Sequence, residues 1–174
     1  MIKSILEMVK TVAVAIVIAL IITAFFDPTL VKGYSMYPTI QPNNFLVINK
    51  IPYMNGEPKH GEIVVFKAEI ATLGDSEKDL IKRVIGVAGD KIYISNGIVY
   101  RNGQALLENY TYMGTTPGDM LEITVEKGKI FVMGDNRPVS LDSRDERLGQ
   151  VDLKAVLGRA DVRLFPFDEI GLLR

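Results

Sequence analysis

The chain has 174 residues, 48% of them hydrophobic, enough to bury one sizeable core and at most a small appended subdomain. Twenty basic residues against 21 acidic ones leave a formal charge of -1, too balanced to suggest the strongly basic face that a nucleic-acid partner needs. The lack of cysteine excludes disulfides, thiol catalysis and thiolate metal sites, and one histidine, His60, cannot build a zinc centre from several imidazoles, so no metal or other cofactor is expected.

From Thr11 to Phe26 the sequence TVAVAIVIALIITAFF carries no charge, and Met8 and Val9 extend it when the Lys10 stem reaches up to the headgroups. A membrane anchor is therefore expected over 8–26, with 1–7 in the cytoplasm and 27–174 outside it. The direction follows from Lys3, Lys10 and the α-amino group before the run and Asp27 directly after it. A cleaved secretory signal is the alternative, but such signals end on small residues, and Ile22-Thr23-Ala24 before Phe25-Phe26 fits that poorly.

Beyond Asp27, short apolar runs alternate with Gly, Pro, Asn and Asp, which predicts a mainly β domain. Strands are expected at 45–49, 62–67, 80–87, 91–95, 98–101, 121–125, 129–133 and 155–164. Asn96-Gly97 supplies the positive φ angles of a tight hairpin turn, and Asn102-Gly103 reads as the end of that hairpin. Asp152 is a candidate cap for a short helix over 152–156, and the polar, turn-rich stretch 106–118 reads as a mobile loop.

Three stretches carry possible chemistry. In VKGYSMYPTI, Ser35 is either a turn residue or a nucleophile, and the second reading requires a nearby proton acceptor. His60, in NGEPKHGE, reads as a solvated turn histidine with nothing nearby to fix its tautomer. In DLIKRVIGVAGD, alternation puts Lys82 on one strand face with Leu80 and Val84, where desolvation would lower its pKa. The other reading of Lys82 and Arg83 is a pair of edge charges that guard against aggregation. In MGDNRPVSLDSRDERLGQ, Asp135 and Asp142 are a possible acid–base pair, but Arg137 and Arg144 would keep both ionised.

Taken together, SMYPT at 35–39, IKRVIGVAGD at 81–90 and GDNRPVSLDSR at 134–144 resemble, in order and residue type, the motifs of the type I signal peptidases. GEIVVF at 61–66 and GRA at 158–160 resemble weaker segments of that family, and the single anchor and compact length look like its Gram-positive branch. The resemblance implies a β-rich catalytic core behind one transmembrane helix, with a smaller β subdomain inserted around 91–129. It implies Ser35 as nucleophile, Lys82 as general base and Ser140 as the serine that orients the lysine. It also implies structural ion pairs between Asp142 and Arg144 and between Arg83 and Asp135.

The implied reaction is removal of N-terminal signal peptides from exported preproteins at the membrane, beside the export machinery, with lipid as the other partner. The cleavage region is expected to lie extended between 31–33 and 80–82, against Val31, Gly33, Met36, Ile40, Leu80 and Ile81. The oxyanion hole is assigned to the Ser35 N–H. Some family members carry a serine hydroxyl two residues before the nucleophile, where this chain has Gly33, so the second donor stays open. A self-cleaving Ser/Lys regulator and an inactive anchored homologue are the rival readings; the anchor speaks against the first and the presence of both Ser35 and Lys82 against the second.

Overall fold

The computed structural model describes residues 2–68 and 78–173; Met1, whose α-amino group entered the charge argument, lies outside them. The first helix, α1 (Ile2–Phe25), contains Ile5–Phe25, a stretch long and apolar enough to cross a membrane. From Ile5 onward its side chains are exposed almost throughout, so this stretch adds nothing to the protein core and offers an apolar surface all round. Thr11 and Thr23 return their hydroxyls to the carbonyls of Glu7 and Ala19, each at 3.0 Å, which satisfies both polar groups within the helix. The helix stops at Phe25, and Phe26, which hydropathy assigns to the anchor, opens the first strand instead.

Twelve strands follow among the described residues. They are β1 (Phe26–Leu30), β2 (Phe45–Asn49), β3 (Ile63–Ala68), β4 (Lys78–Val87), β5 (Lys91–Ser95) and β6 (Ile98–Arg101), then β7 (Gln104–Ala105), β8 (Met120–Thr124), β9 (Lys129–Met133), β10 (Val151–Asp152), β11 (Val156–Phe165) and β12 (Gly171–Leu172). One sheet runs β1-β2-β11-β3-β4-β9-β10 with β12 added beside β11, and a second, smaller one runs β7-β6-β5-β8. The chain is thus mainly β behind a single apolar helix, as expected.

All eight strands expected from the sequence form, each within two residues of its expected ends. Four were not foreseen, for two reasons. Asp27-Pro28 has the composition of a turn, but β1 is an edge strand, where proline's missing N–H costs no ladder bond. The other three, β7, β10 and β12, have two residues each, too few to show alternation. Over 152–156 the chain forms only a 3-10 turn, Leu153–Ala155, and Asp152 does not cap it through its side chain. Asn96 and Gly97 take φ values of 51 and 79° and join β5 to β6. Asn102 and Gly103 do the same at 53 and 78°, but they extend the hairpin into β7 rather than ending it.

Burial explains why β3 reads as an unbroken apolar run. Ile63 and Val65 enter one core with Val31, Met36, Ile40, Leu46 and Ile48, while Val64 and Phe66 enter another with Val84, Ile130 and Val132. A strand covered on both faces has no polar side to alternate with. A third core, holding Ile85, Phe131 and Met133 of the large sheet and Ile92, Ile94 and Val99 of the small one, fastens the two sheets together.

His60 is an exposed turn residue, as expected, but it does have a group nearby to fix its ring, because its Nε2 lies 2.6 Å from Asp90 Oδ2. Asp90 also accepts from Asn102 Nδ2 at 2.7 Å and from the Val87 N–H at 2.8 Å. Burial would raise this carboxyl, but the hydrogen bonds from Val87, His60 and Asn102 hold it below the usual carboxylate range. The turn before β3 is thereby pinned to the junction between the sheets.

Strand β11 crosses β2 closely at Gly158, where an added Cβ would lie 2.8 Å from the Asn49 carbonyl oxygen and 2.8 Å from Ile48 Cγ2. Backbone on one side leaves no room to yield. Gly158→Ala is expected to destabilise the domain by about 1–3 kcal/mol, the usual cost of overpacking, read as a lower midpoint in urea at unchanged slope.

Candidate active site

Strand β4 sets out the site by alternation. Lys82 is only 3% exposed, so it is not an edge charge in solvent. Its Nζ donates to Ser35 Oγ at 2.7 Å and to the Ile81 carbonyl at 3.0 Å. Burial lowers its pKa to about 8, against the opposing pull of the Asp142 and Asp135 carboxylates. At pH 7 that raises the neutral fraction from about 0.03% for an ordinary lysine to about 9%.

Ser35 sits in a turn closed by hydrogen bonds from Tyr37 N to Tyr34 O at 3.1 Å and from Ile40 N to Met36 O at 2.9 Å. The segment after β9 holds this turn in place. The Asn136 N–H donates to the Ser35 carbonyl at 3.0 Å, and its side-chain amide donates to the Tyr34 carbonyl at 3.2 Å. Gly134 makes the approach possible, since a Cβ there would overlap the Ser35 carbonyl and Ser140 Oγ. The Ser35 N–H itself has no hydrogen-bond partner among the described residues.

Both expected ion pairs form. Arg83, on the opposite face of β4, meets Asp135 through Nε–Oδ1 at 2.9 Å and Nη2–Oδ2 at 2.7 Å, with side chains 2 and 0% exposed. Asp135 Oδ2 also accepts from Thr39 Oγ1 at 2.5 Å, four residues after Ser35. Asp142 binds Arg144 at 2.8 and 2.9 Å and accepts from the Gly134 N–H at 3.0 Å. The Ser140 hydroxyl is buried beside Gly134 and makes no hydrogen bond among the described residues. The Ile81 carbonyl, rather than Ser140, takes the second hydrogen bond of Lys82.

A cleft of about 600 Å³ opens onto Ser35 and Lys82, with 29–33 along one bank and 79–81 along the other. Val31, Gly33, Leu80 and Ile81 line it as expected, and Val65 forms part of its wall. Met36 and Ile40 do not. They are 1 and 0% exposed and pack inward with Ile63 and Leu46, because the hydrogen bond between them turns both side chains into the core. Strand β4 is paired to β9 only from Arg83 onward, so 79–82 keeps one unpaired edge able to bond an extended peptide.

Sequence reasoning passed over Asn136 and Thr39, which hold the turn at Ser35, although both lie inside the quoted motifs. It had no signal for Glu108, Tyr110 and Tyr112, which reach the motifs from 106–118. No group of three or more His, Cys, Asp or Glu suited to a metal occurs among the described residues.

A family model described as "Signal peptidase, peptidase S26" matches residues 5–165. Signal peptidase I of Bacillus licheniformis is 37% identical over 178 residues, which span 97% of this chain and 92% of that protein. Probable signal peptidase I-2 of Synechocystis sp. is 39% identical over 171 residues, 97% of this chain and 77% of that protein. A solved signal peptidase I from Enterococcus faecalis V583 is 27% identical at a TM-score of 0.48, over 59% of this chain and 96% of that one. With the family model spanning 5–165 and relatives 37 and 39% identical along nearly the whole chain, the protein belongs to the signal peptidase family, peptidase S26.

Proposed function

We propose that the protein is a membrane-anchored serine endopeptidase that removes signal peptides from preproteins, with Ser35 as nucleophile and Lys82 as general base. The observation that carries this reading is the 2.7 Å contact between Ser35 Oγ and the buried Nζ of Lys82, within the reach proton transfer requires. When Lys82 is neutral, the direction of the bond reverses. The Ser35 hydroxyl then donates to the amine lone pair, while Nζ keeps its bond to the Ile81 carbonyl.

A preprotein lies extended along the free edge of 79–82 and its small side chains fill the shallow space above Val31, Val65 and Ile81. Lys82 takes the Ser35 proton as Oγ attacks the scissile carbonyl. The free Ser35 N–H faces the developing oxyanion, and one such donor contributes roughly 3 kcal/mol. Lys82 then protonates the leaving amine, and water activated by the same amine releases the acyl group. The orienting bond that the family resemblance assigns to Ser140 falls here to the Ile81 carbonyl, and the buried Ser140 hydroxyl, with no hydrogen-bond partner among the described residues, is left as a reserve donor or acceptor beside Gly134. Gly33 offers only backbone, and a Cβ added there would meet no atom within 4 Å.

Lys3 and Lys10, ahead of the uncharged stretch of α1, favour an N-terminus in the cytoplasm and a catalytic domain outside. The cleft begins at Thr29, a few residues after the helix ends, so substrate and site meet at the lipid surface, where co-localisation compensates for a shallow pocket.

Ser35→Ala and Lys82→Arg are expected to abolish cleavage of a signal-bearing preprotein while circular dichroism shows a native fold; full activity of Lys82→Arg would exclude a lysine base, since arginine stays protonated. Wild-type kcat/KM should rise with pH along a limb centred near 8, the pKa of buried Lys82.

The same shift acts on stability. Below about pH 8 Lys82 is charged in both folded and unfolded chains, and folding carries the cost of burying that charge. Between about 8 and 10.5 the unfolded chain holds a proton that the folded chain has lost, so stability rises with pH across this window. Lys82→Met is therefore expected to be inactive and yet more stable at pH 7 by about 3 kcal/mol, with the gain fading as the pH nears 10.5. Urea unfolding at the two pH values measures it.

A further inference from the structure

We infer that residues 106–118 form a clamp that holds the elements bearing Ser35 and Lys82 in register, with Glu108, Tyr110 and Tyr112 as positioning residues for the reaction. This rests on the peptidase reading above. It reverses the expectation of a mobile loop.

Each of the three residues grips a different part of the site. The Glu108 carboxylate takes Arg137 through Oε1–Nη2 at 2.6 Å and Oε2–Nη1 at 2.9 Å. Arg137 is 2% exposed, and its Nε donates to the Gly134 carbonyl at 3.0 Å, at the point where Gly134 presses on the Ser35 carbonyl. The Tyr110 ring covers the Arg83 guanidinium at 4.1 Å, next along β4 to Lys82, and its hydroxyl donates back to Glu108 at 2.8 Å. The Tyr112 N–H donates to the Asp135 carbonyl at 3.0 Å, and its ring meets Tyr37 edge-to-face at 5.0 Å, two residues after Ser35.

The clamp is itself anchored at both ends on the small sheet. The Leu106 N–H donates to the Val99 carbonyl and the Thr116 N–H to the Gly97 carbonyl, each at 2.9 Å, and the Thr116 hydroxyl accepts from Arg137. The small sheet thus has a task in the reaction without touching the cleft. It carries a strut whose contacts fall on 37, 83 and 134–137, three segments far apart in the chain. Nucleophile and base come from two of these regions, and a displacement of the order of 1 Å between them costs roughly 100-fold in rate.

The test compares preprotein cleavage by the full-length chain in lipid vesicles, with Ser35→Ala as the blank. Tyr112 is 42% exposed, so Tyr112→Ala leaves the core intact. Tyr112→Ala, Tyr110→Leu and Glu108→Gln are expected to lower kcat about tenfold with KM within twofold of wild type, assayed below each variant's unfolding transition. Tyr112→Phe, which keeps the ring and the backbone bond, is expected to show wild-type kcat, and Tyr110→Phe, which keeps the ring over Arg83 but loses its bond to Glu108, a loss clearly smaller than that of Tyr110→Leu. A kcat within twofold of wild type in Tyr112→Ala and Tyr110→Leu would overturn the clamp, as would equal losses in the Leu or Ala variants and their Phe counterparts. Should Glu108→Gln fail to fold, the tyrosine pairs decide alone. Failure of the wild type to cleave any preprotein would instead remove the peptidase reading.

Discussion

The carboxylate of Asp135 is fully buried, and a charge in that position is tolerable only when it is paired and hydrogen-bonded. Two contacts with Arg83 neutralise it, and the Thr39 hydroxyl completes its shell. Those partners come from β4 and from the turn that carries Ser35, so satisfying one ion also fixes the distance between the two. The pair is a constraint more than a source of stability, because desolvating two ions costs about as much as their attraction returns. Its worth lies in the single geometry that leaves neither charge unpaired.

Lys82 obeys the same electrostatics with the opposite outcome. One residue along β4 from Arg83, it is almost as deeply buried, yet its hydrogen bonds go to a hydroxyl and a carbonyl rather than to a carboxylate. Desolvation therefore prevails over the more distant pull of Asp142 and Asp135, and the amine settles near 8. A carboxylate in direct contact would have kept it charged. The arginines beside both aspartates absorb much of that negative field, which is how two acids can sit near a lysine without returning its proton.

The two sheets divide the labour. The large one carries the cleft and, through β1, joins directly to the apolar helix, so the open bank of the cleft lies a few residues from the end of that helix. The small one packs against the far side through Ile92, Ile94 and Val99 and sends 106–118 back to the site. His60 and Asp90 fasten the junction from the other side, with Asn102 of the small sheet as third member. The packed core between the sheets makes the strut rigid enough to transmit position.

What the sequence determined by itself was local or carried by whole motifs. The apolar helix, the eight longer strands and both Asn-Gly turns follow from hydropathy, alternation and backbone preference within a few residues. Ser35, Lys82 and the two ion pairs were named through three motifs in a fixed order; composition alone left Ser35 a turn residue and Lys82 an edge charge. Only the tertiary structure decided what depends on contacts between distant residues. Met36 and Ile40 were assigned to the cleft, and a turn hydrogen bond aims them into the core. His60 is exposed, as its turn context suggests, but its partner Asp90 comes from 30 positions away. The stretch 106–118 has the polar, turn-rich composition of a loose loop, and its order comes from Arg83, Asp135 and Arg137, none of which is near it in the chain. Hydropathy and turn propensity record what a residue prefers beside its neighbours in sequence, whereas burial, pKa and ion pairing are set by neighbours that only the fold supplies.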